Sequence, residues 1–163
     1  MERLPGMGKE IERKFLLASE EWRENASGQL FRQGYINTRP GRTVRVRTCN
    51  DAGYVTIKGK TSGITRLVFD YPIPVDDAKT LLDQLCEHPL VEKIRYLVDY
   101  KGFRWEIDEF LGENAGLIVA EIELDREDQP FPRPPWLGEE VSGDIRYYNS
   151  NLRENPFKNW GGK

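Results

Sequence analysis

Charged side chains alternate with apolar ones along several short segments of this 163-residue chain. In the segment KEIERKFLL at 9–17, a period of two places Glu10, Glu12 and Lys14 on one face of an extended strand. Carboxylates share a face again near the other end of the chain, at Glu121 and Glu123. Oxygen ligands of this kind suit hard divalent cations such as Mg²⁺ or Mn²⁺. The acidic segments therefore predict a cation site.

The middle of the chain carries the complementary charge. Arg45 and Arg47 alternate with valines, and later segments add Lys58, Lys93 and Arg95. Gathered on one concave surface, these side chains would suit a polyanion, because an arginine matches phosphate oxygens in a bidentate way. A phosphate group bridged by a cation is the natural joint ligand of the acidic and basic segments.

The same alternation is also typical of an ordinary strand with one solvated face. Two features favour an enclosed site instead. Carboxylates dominate the first strand and the last two, while bases dominate the middle, whereas a solubilising face would mix the signs. The segment LIVA at 117–120 is apolar on both faces, which predicts a strand covered on both sides. Enclosed charges are tolerated only when they are paired, metal-bound or meant for a charged ligand.

The overall composition excludes several function classes. The 24 basic and 27 acidic side chains give a net charge of -3, which argues against a nucleic-acid partner. His88 is the single histidine, so zinc sites with several histidine ligands are excluded, and we interpret it as a helix-end residue beside Pro89. Cys49 and Cys86 are too few for a disulfide framework and predict a cytoplasmic protein. The sequence has no apolar run of bilayer length, so we expect no membrane partner.

The elements that must position these residues are mostly strands. A helix is predicted after Asp76 or Asp77 from the apolar stripe of Ala78, Leu81, Leu82, Leu85 and Cys86, and a shorter one is predicted near 19–26. Four prolines predict an irregular connector over 128–138. Strands are predicted at 9–17, 29–39, 42–49, 55–60, 64–73, 91–100, 103–110 and 117–124. We therefore expect a mainly β (α+β) fold, either a closed antiparallel barrel or a strongly curved sheet.

A family resemblance rests on motifs along nearly the whole chain. EIERK at 10–14 is similar to the E-x-E-x-K signature of the CYTH family, also called triphosphate tunnel metalloenzymes. Further matches follow in the family's order: VRVR at 44–47, TIKGK at 56–60, TRLVFDYPIP at 65–74, EKIRY at 92–96, WEIDEF at 105–110, GLIVAEIEL at 116–124 and RYYNSNL at 146–152. The chain most resembles the short bacterial branch, so we expect a single domain over 7–163, with Met7 as the natural start and 1–6 as an extension.

The resemblance implies an eight-stranded antiparallel barrel with flanking helices, open at both ends, whose tunnel binds a triphosphate and a divalent metal, Mg²⁺ or Mn²⁺. It also implies roles for individual residues. Catalysis would involve Glu10, Glu12 and Lys14. Substrate oxygens would be bound by Arg45, Arg47, Lys58, Lys93 and Arg95. The metal would be held by Glu10, Glu12, Asp108, Glu121 and Glu123, with Glu106 as a nearby acid.

The activity that the resemblance implies is metal-dependent hydrolysis of a small triphosphate, with inorganic tripolyphosphate as the first expectation, by a monomer or homodimer. Two alternatives stay open: a binding module for polyphosphate or nucleotides with little turnover, and an adenylate cyclase. One departure bears on them. Where relatives commonly read R-x-E-F-E, this chain has Arg66-Leu67-Val68-Phe69-Asp70. Val68 removes one tunnel carboxylate and Asp70 shortens another, which leaves the number of bound metals open.

Overall fold

The computed structural model describes residues 8–24 and 26–161. The expected extension at 1–6 and the expected start at Met7 lie outside the described residues. Within these ranges, nine strands follow one another: β1 (Lys9–Leu17), β2 (Gly28–Asn37), β3 (Arg42–Cys49), β4 (Ala52–Gly59), β5 (Thr65–Ile73), β6 (Glu87–Tyr100), β7 (Phe103–Phe110), β8 (Ile118–Glu123) and β9 (Leu137–Glu140). Two α-helices accompany them, α1 (Val75–Gln84) and α2 (Asn149–Leu152).

Eight of the strands close into an antiparallel barrel. The hydrogen-bonded order is β5-β4-β3-β2-β6-β7-β8-β1, and β1 returns to β5 through the pairing of Glu10 with Arg66 and its two neighbours. The far half of β1 leaves β5 and pairs with β9, which lies outside the ring. The predicted eight-stranded barrel is confirmed by this closed ring of pairings. The fold suits the alternating polarity of the strands, since a barrel has both an inside and an outside.

The apolar faces of β1, β7 and β8 point out of the barrel, and other segments cover them. On β7, Trp105 and Ile107 are fully buried on this outer side, while Glu106 and Asp108 point inward. Trp22 and Trp136, from the loops before β2 and β9, pack over the outer side. The resulting core joins Phe15, Trp22, Trp105, Ile107, Ala120, Ile122, Leu124, Trp136 and Leu137.

Helix α1 covers the outside of the opposite wall, where Ala78 and Leu82 pack with Val46. The helix is where the stripe predicted it, but neither Asp76 nor Asp77 caps it. Pro74 occupies the N-cap position, and both aspartates lie in the first turn, where a carboxylate favours the helix dipole. Leu85, expected in the buried stripe, is 62% exposed because the helix has already ended.

Three local predictions need correction. His88 and Pro89 lie within β6, not at a helix end, because that strand begins at Glu87 and pairs with β2 directly after α1. The helix predicted near 19–26 is only a 3-10 turn, Glu21–Arg23, since so short a segment does not nucleate an α-helix without support. The connector expected over 128–138 ends early, because β9 begins at Leu137.

The end of the chain folds back into one end of the barrel. The plug segment, residues 145–152, consists of a 3-10 turn (Ile145–Tyr147) and α2. Its Tyr147 and Leu152 are buried among apolar side chains that include Val91, Phe110 and Val119. The resemblance implied openness at both ends, whereas this segment packs into one of them. Neither helix in the described part of the chain is long and apolar enough to cross a membrane.

Candidate active site

The interior of the barrel contains a cavity of about 330 Å³, whose inner end is lined by residues of the plug segment. Its walls carry charges of both signs. The basic lining residues are Lys14, Arg45, Arg47, Lys58, Arg66, Lys93 and Arg95, and the acidic ones are Glu10, Glu12, Asp70, Glu106, Glu121 and Glu123. The alternating charges of the sequence therefore face one enclosed space.

The acidic wall is built by β1 and β8. Glu12 lies directly opposite Glu123, and Lys14 lies opposite Glu121, so successive inward positions meet across the two strands. Burial, together with the neighbouring charges of Glu121 and Glu10, raises the pKa of Glu12 well above its ordinary value. Carboxylates crowded in this way leave negative charge that a cation would neutralise.

The type of donor atom in this wall, carboxylate oxygen, is what makes it suitable for a hard cation. Across residues 8–24 and 26–161, no three histidine, cysteine, aspartate or glutamate side chains lie close enough together to hold a metal ion as they stand. The donors available from Glu10, Glu12 and Glu123 are nevertheless carboxylate oxygens only, the type that Mg²⁺ and Mn²⁺ prefer. A cation here would take some of its remaining ligands from a bound phosphate or from water.

The basic wall is built mainly by β3, β4 and β6. The Arg45 guanidinium donates to Thr56 Oγ1 at 3.2 Å, while Arg47 lies 3.7 Å from Asp70. The Nε atoms of Arg45 and Arg47 are buried and have no hydrogen-bond partner among the described residues. Burial also lowers the pKa of Arg47 to about 10. Unsatisfied donors beside an open cavity indicate a place for anionic oxygen atoms.

One buried carboxylate, that of Asp108, contacts two basic side chains of this wall, Lys93 and Arg95. Asp108 accepts two hydrogen bonds from Arg95, at 2.8 and 2.9 Å, and its Oδ2 lies 2.8 Å from Lys93 Nζ. Asp108 is completely buried and does not belong to the described residues that line the cavity. Although burial alone would raise it, the charges of Arg95 and Lys93 hold the pKa of Asp108 below its usual range.

The two lysines at the inner end of the cavity respond differently to enclosure. Burial lowers the pKa of Lys93 to about 7, in spite of its contact with Asp108. Lys14 lies 3.2 Å from Glu121, and the nearby carboxylates raise its pKa against the opposing effect of burial. Burial also opposes the ionisation of Glu121, but Lys14 and Arg95 lower the pKa of that carboxyl to about 2. Lys14 and Glu121 thus form a stable ion pair.

The cavity gathers almost all the residues that the sequence singled out. Asp108 is the exception, since it is completely buried beside Lys93 and Arg95 and is not among the described lining residues. Those that line the cavity are Glu10, Glu12, Lys14, Arg45, Arg47, Lys58, Lys93, Arg95, Glu106, Glu121 and Glu123.

Sequence reasoning missed several lining residues. Thr56 and Arg66 have the same strand parity as Lys58 and Asp70, so the period of two could have identified them. Tyr35, Tyr148, Asn149 and Ser150 also line the cavity. The last three belong to the plug segment, which has no periodic pattern; the RYYNSNL motif at 146–152 contains them, but sequence reasoning assigned that motif no role.

Val68 and Asp70, the two residues that depart from the family pattern, both line the cavity. Val68 is 3% exposed and gives that part of the lining an apolar patch opposite Lys58 on β4. Asp70 accepts a hydrogen bond of 2.6 Å from Thr56 and stays near Arg47, so it supports the basic wall.

Comparison with known proteins adds independent findings. A family model described as the CYTH domain matches residues 8–150. An inorganic triphosphatase of Acetivibrio thermocellus is 53% identical over 94% of this chain and 99% of its own length. An inorganic triphosphatase of Nitrosomonas europaea is 38% identical over 88% of this chain and 95% of its own length. A crystal structure of an inorganic triphosphatase superposes with a TM-score of 0.64 at 34% identity, covering 88% of this chain and 96% of that one.

Proposed function

The chain belongs to the CYTH domain family, and on that premise we propose that it is a divalent-metal-dependent triphosphatase whose substrate is inorganic tripolyphosphate. The observation that carries this proposal is the placement of buried, under-bonded arginines opposite crowded carboxylates in a single cavity. The substrate follows from the relatives, two of which are named inorganic triphosphatases.

The basic wall would bind and orient the substrate. Arg45 and Arg47 line the cavity, so their guanidinium groups can bind phosphoryl oxygens, and Arg95 is held rigidly by its two bonds to Asp108. Donors fixed before the reaction stabilise the charge that develops on a transferring phosphoryl group without having to reorganise. We assign Asp108 to positioning Lys93 and Arg95, because both of its oxygens already accept hydrogen bonds or ion pairs from them.

The acidic wall would hold the metal through Glu10, Glu12 and Glu123. When bound, Mg²⁺ or Mn²⁺ supplies a Lewis acid for phosphoryl oxygens and lowers the pKa of a coordinated water. The carboxyl of Glu12 retains its proton more readily than a solvated one, so positive charge nearby favours its ionised, ligating form. Lys14, paired with Glu121, would place a cation between the two walls. The enclosing barrel limits access of bulk water.

The test is release of orthophosphate from tripolyphosphate, thiamine triphosphate and ATP with each cation. We expect release from tripolyphosphate that stops on chelation, and loss of turnover in Glu123→Gln, which removes a charged oxygen donor at nearly constant volume. Glu139→Gln is the matched control, since that glutamate is exposed on β9 and away from the cavity. Release by Glu123→Gln at the parental rate would refute the site assignment.

A second candidate rests on Val68. The apolar side chain at this wall position leaves one oxygen donor fewer for cations, which favours binding with little turnover. Tight binding of tripolyphosphate without phosphate release in Mg²⁺ or Mn²⁺ would establish that function. Formation of cyclic AMP from ATP, in the same assay, would point to a cyclase instead.

A further inference from the structure

The inner end of the cavity is formed by the plug segment, whose lining residues are Tyr148, Asn149 and Ser150. This segment is firmly anchored on its other side. Tyr147 and Leu152 are buried in the apolar cluster at that end of the barrel. Trp160 packs edge-on against Tyr147 with ring centroids 5.1 Å apart. The plug segment therefore holds its cavity-facing residues in fixed positions.

Two lysines that line the cavity donate hydrogen bonds to this segment. Lys93 Nζ donates to Asn149 Oδ1 at 2.8 Å, and Lys14 Nζ donates to the backbone carbonyl of Tyr147 at 3.0 Å. The same Asn149 oxygen also accepts from Gln33 Nε2 at 2.7 Å, and Gln33 is completely buried. Asn149 thus joins β2, β6 and the plug segment at a single atom.

These contacts decide where the ammonium group of Lys93 can lie. The lysine is 1% exposed, and its amino group contacts Asp108 on β7 and Asn149 on α2. Without Asn149, Asp108 alone would hold the amino group, and Asp108 is completely buried and does not belong to the described cavity lining. The expected result is an ammonium drawn back from the position where it can meet an anion.

We propose that the cavity-lining part of the plug segment, residues 148–150, belongs to the anion-binding site, with Asn149 as a positioning residue that holds Lys93 at the inner end of the cavity. The inference rests on the proposed function, because the anion is taken to be the triphosphate. It implies that docking of the plug segment and anion binding are linked. By thermodynamic reciprocity, an anion that binds better when the segment is docked must also stabilise the docked segment.

The first experiment compares Asn149→Leu with Asn151→Leu. Both exchange an asparagine of α2 for a nearly isosteric apolar residue, but Asn151 does not belong to the described cavity lining. Loss of a hydrogen bond to a charged group should raise the KM for tripolyphosphate about tenfold in Asn149→Leu. We expect kcat to change less than KM, and Asn151→Leu to keep parental values. Equal KM values in two folded variants would overturn the proposal.

The second experiment uses the unmodified chain, so it does not depend on how Asn149→Leu folds. Amide hydrogen exchange of peptides covering 145–152 is measured with a chelator present, before and after addition of inorganic tripolyphosphate. We expect slower exchange in the plug segment when the anion is bound. If calorimetry shows binding but exchange there is unchanged, the inference fails while the proposed function stands. If the unmodified chain binds no tripolyphosphate even with Mg²⁺ or Mn²⁺, both fail.

Discussion

The two faces of β7 form opposite environments within one strand. Trp105 and Ile107 face outward and are fully buried beneath other segments, whereas Glu106 and Asp108 face into a barrel full of charge. An eight-stranded barrel has an interior just wide enough to be filled by side chains or to hold one small ligand. Here the apolar core around β7 lies outside the ring. Phe110, on the inner face, also packs in the apolar cluster beneath the plug segment. At the level of the cavity, however, apolar packing and ligand binding lie on opposite faces of the same strand, so substitutions on the two faces should have different consequences there.

The largest effect is expected on the outer face. Trp105 packs edge-on against Phe15, Phe131 and Trp136, at centroid distances of 5.7, 5.6 and 5.6 Å. Trp105→Ala should lower the free energy of unfolding by about 3–5 kcal/mol, measured by urea denaturation. Leu97→Ala is the control, since that side chain is 46% exposed and should matter far less. A Trp105→Ala chain as stable as Leu97→Ala would break the comparison.

The inner face should show the reverse pattern. Arg45→Met removes a buried guanidinium whose Nε has no hydrogen-bond partner among the described residues. We expect kcat/KM for tripolyphosphate to fall about a hundredfold or more, as for other fixed electrostatic donors. The stability of the ligand-free chain should stay equal or increase, because an apolar residue of similar length relieves a buried charge. A large loss of stability would show that the inner charges also maintain the fold.

A smaller effect concerns pH. The pKa of Lys93 is about 7 in the folded chain, against 10.5 as the ordinary value. Between these two values the unfolded chain binds a proton that the folded chain lacks, so stability must rise with pH. From pH 7 to 9, without metal or anion, we expect a slope of at most about 1.4 kcal/mol per pH unit from this group. Lys93→Met should flatten the slope, and an unchanged slope would contradict the assignment.

Polarity alternation made most of the barrel predictable from the sequence. The predicted bounds 9–17 and 42–49 are those of β1 and β3, because charged and apolar residues alternate along most of both strands. The same rule assigned Glu10, Glu12, Arg45 and Arg47 to one interior. It failed for His88 and Pro89, where the pairing of β6 with β2 carries the strand through a proline.

Depth and distant contacts were not predictable. Glu106 and Asp108 share a face of β7, but only the three-dimensional structure shows that Glu106 lines the cavity. Asp108 is instead buried in contact with Lys93 and Arg95. The place of Asn149 depends on a contact 56 residues away in sequence. Neither position follows from a local pattern, because each depends on how the barrel closes and on what fills its inner end.

We propose that the barrel interior binds the anion and the metal side by side, between a basic wall and an acidic wall. A crystal structure of the chain with Mn²⁺ and imidotriphosphate, a non-hydrolysable analogue, tests it most directly. We predict phosphoryl oxygens within hydrogen-bonding distance of Arg45, Arg47 and Arg95, and an anomalous manganese peak beside Glu12 and Glu123. An analogue bound only on the outer surface, or an interior without ordered ligand at saturating concentration, would contradict the account.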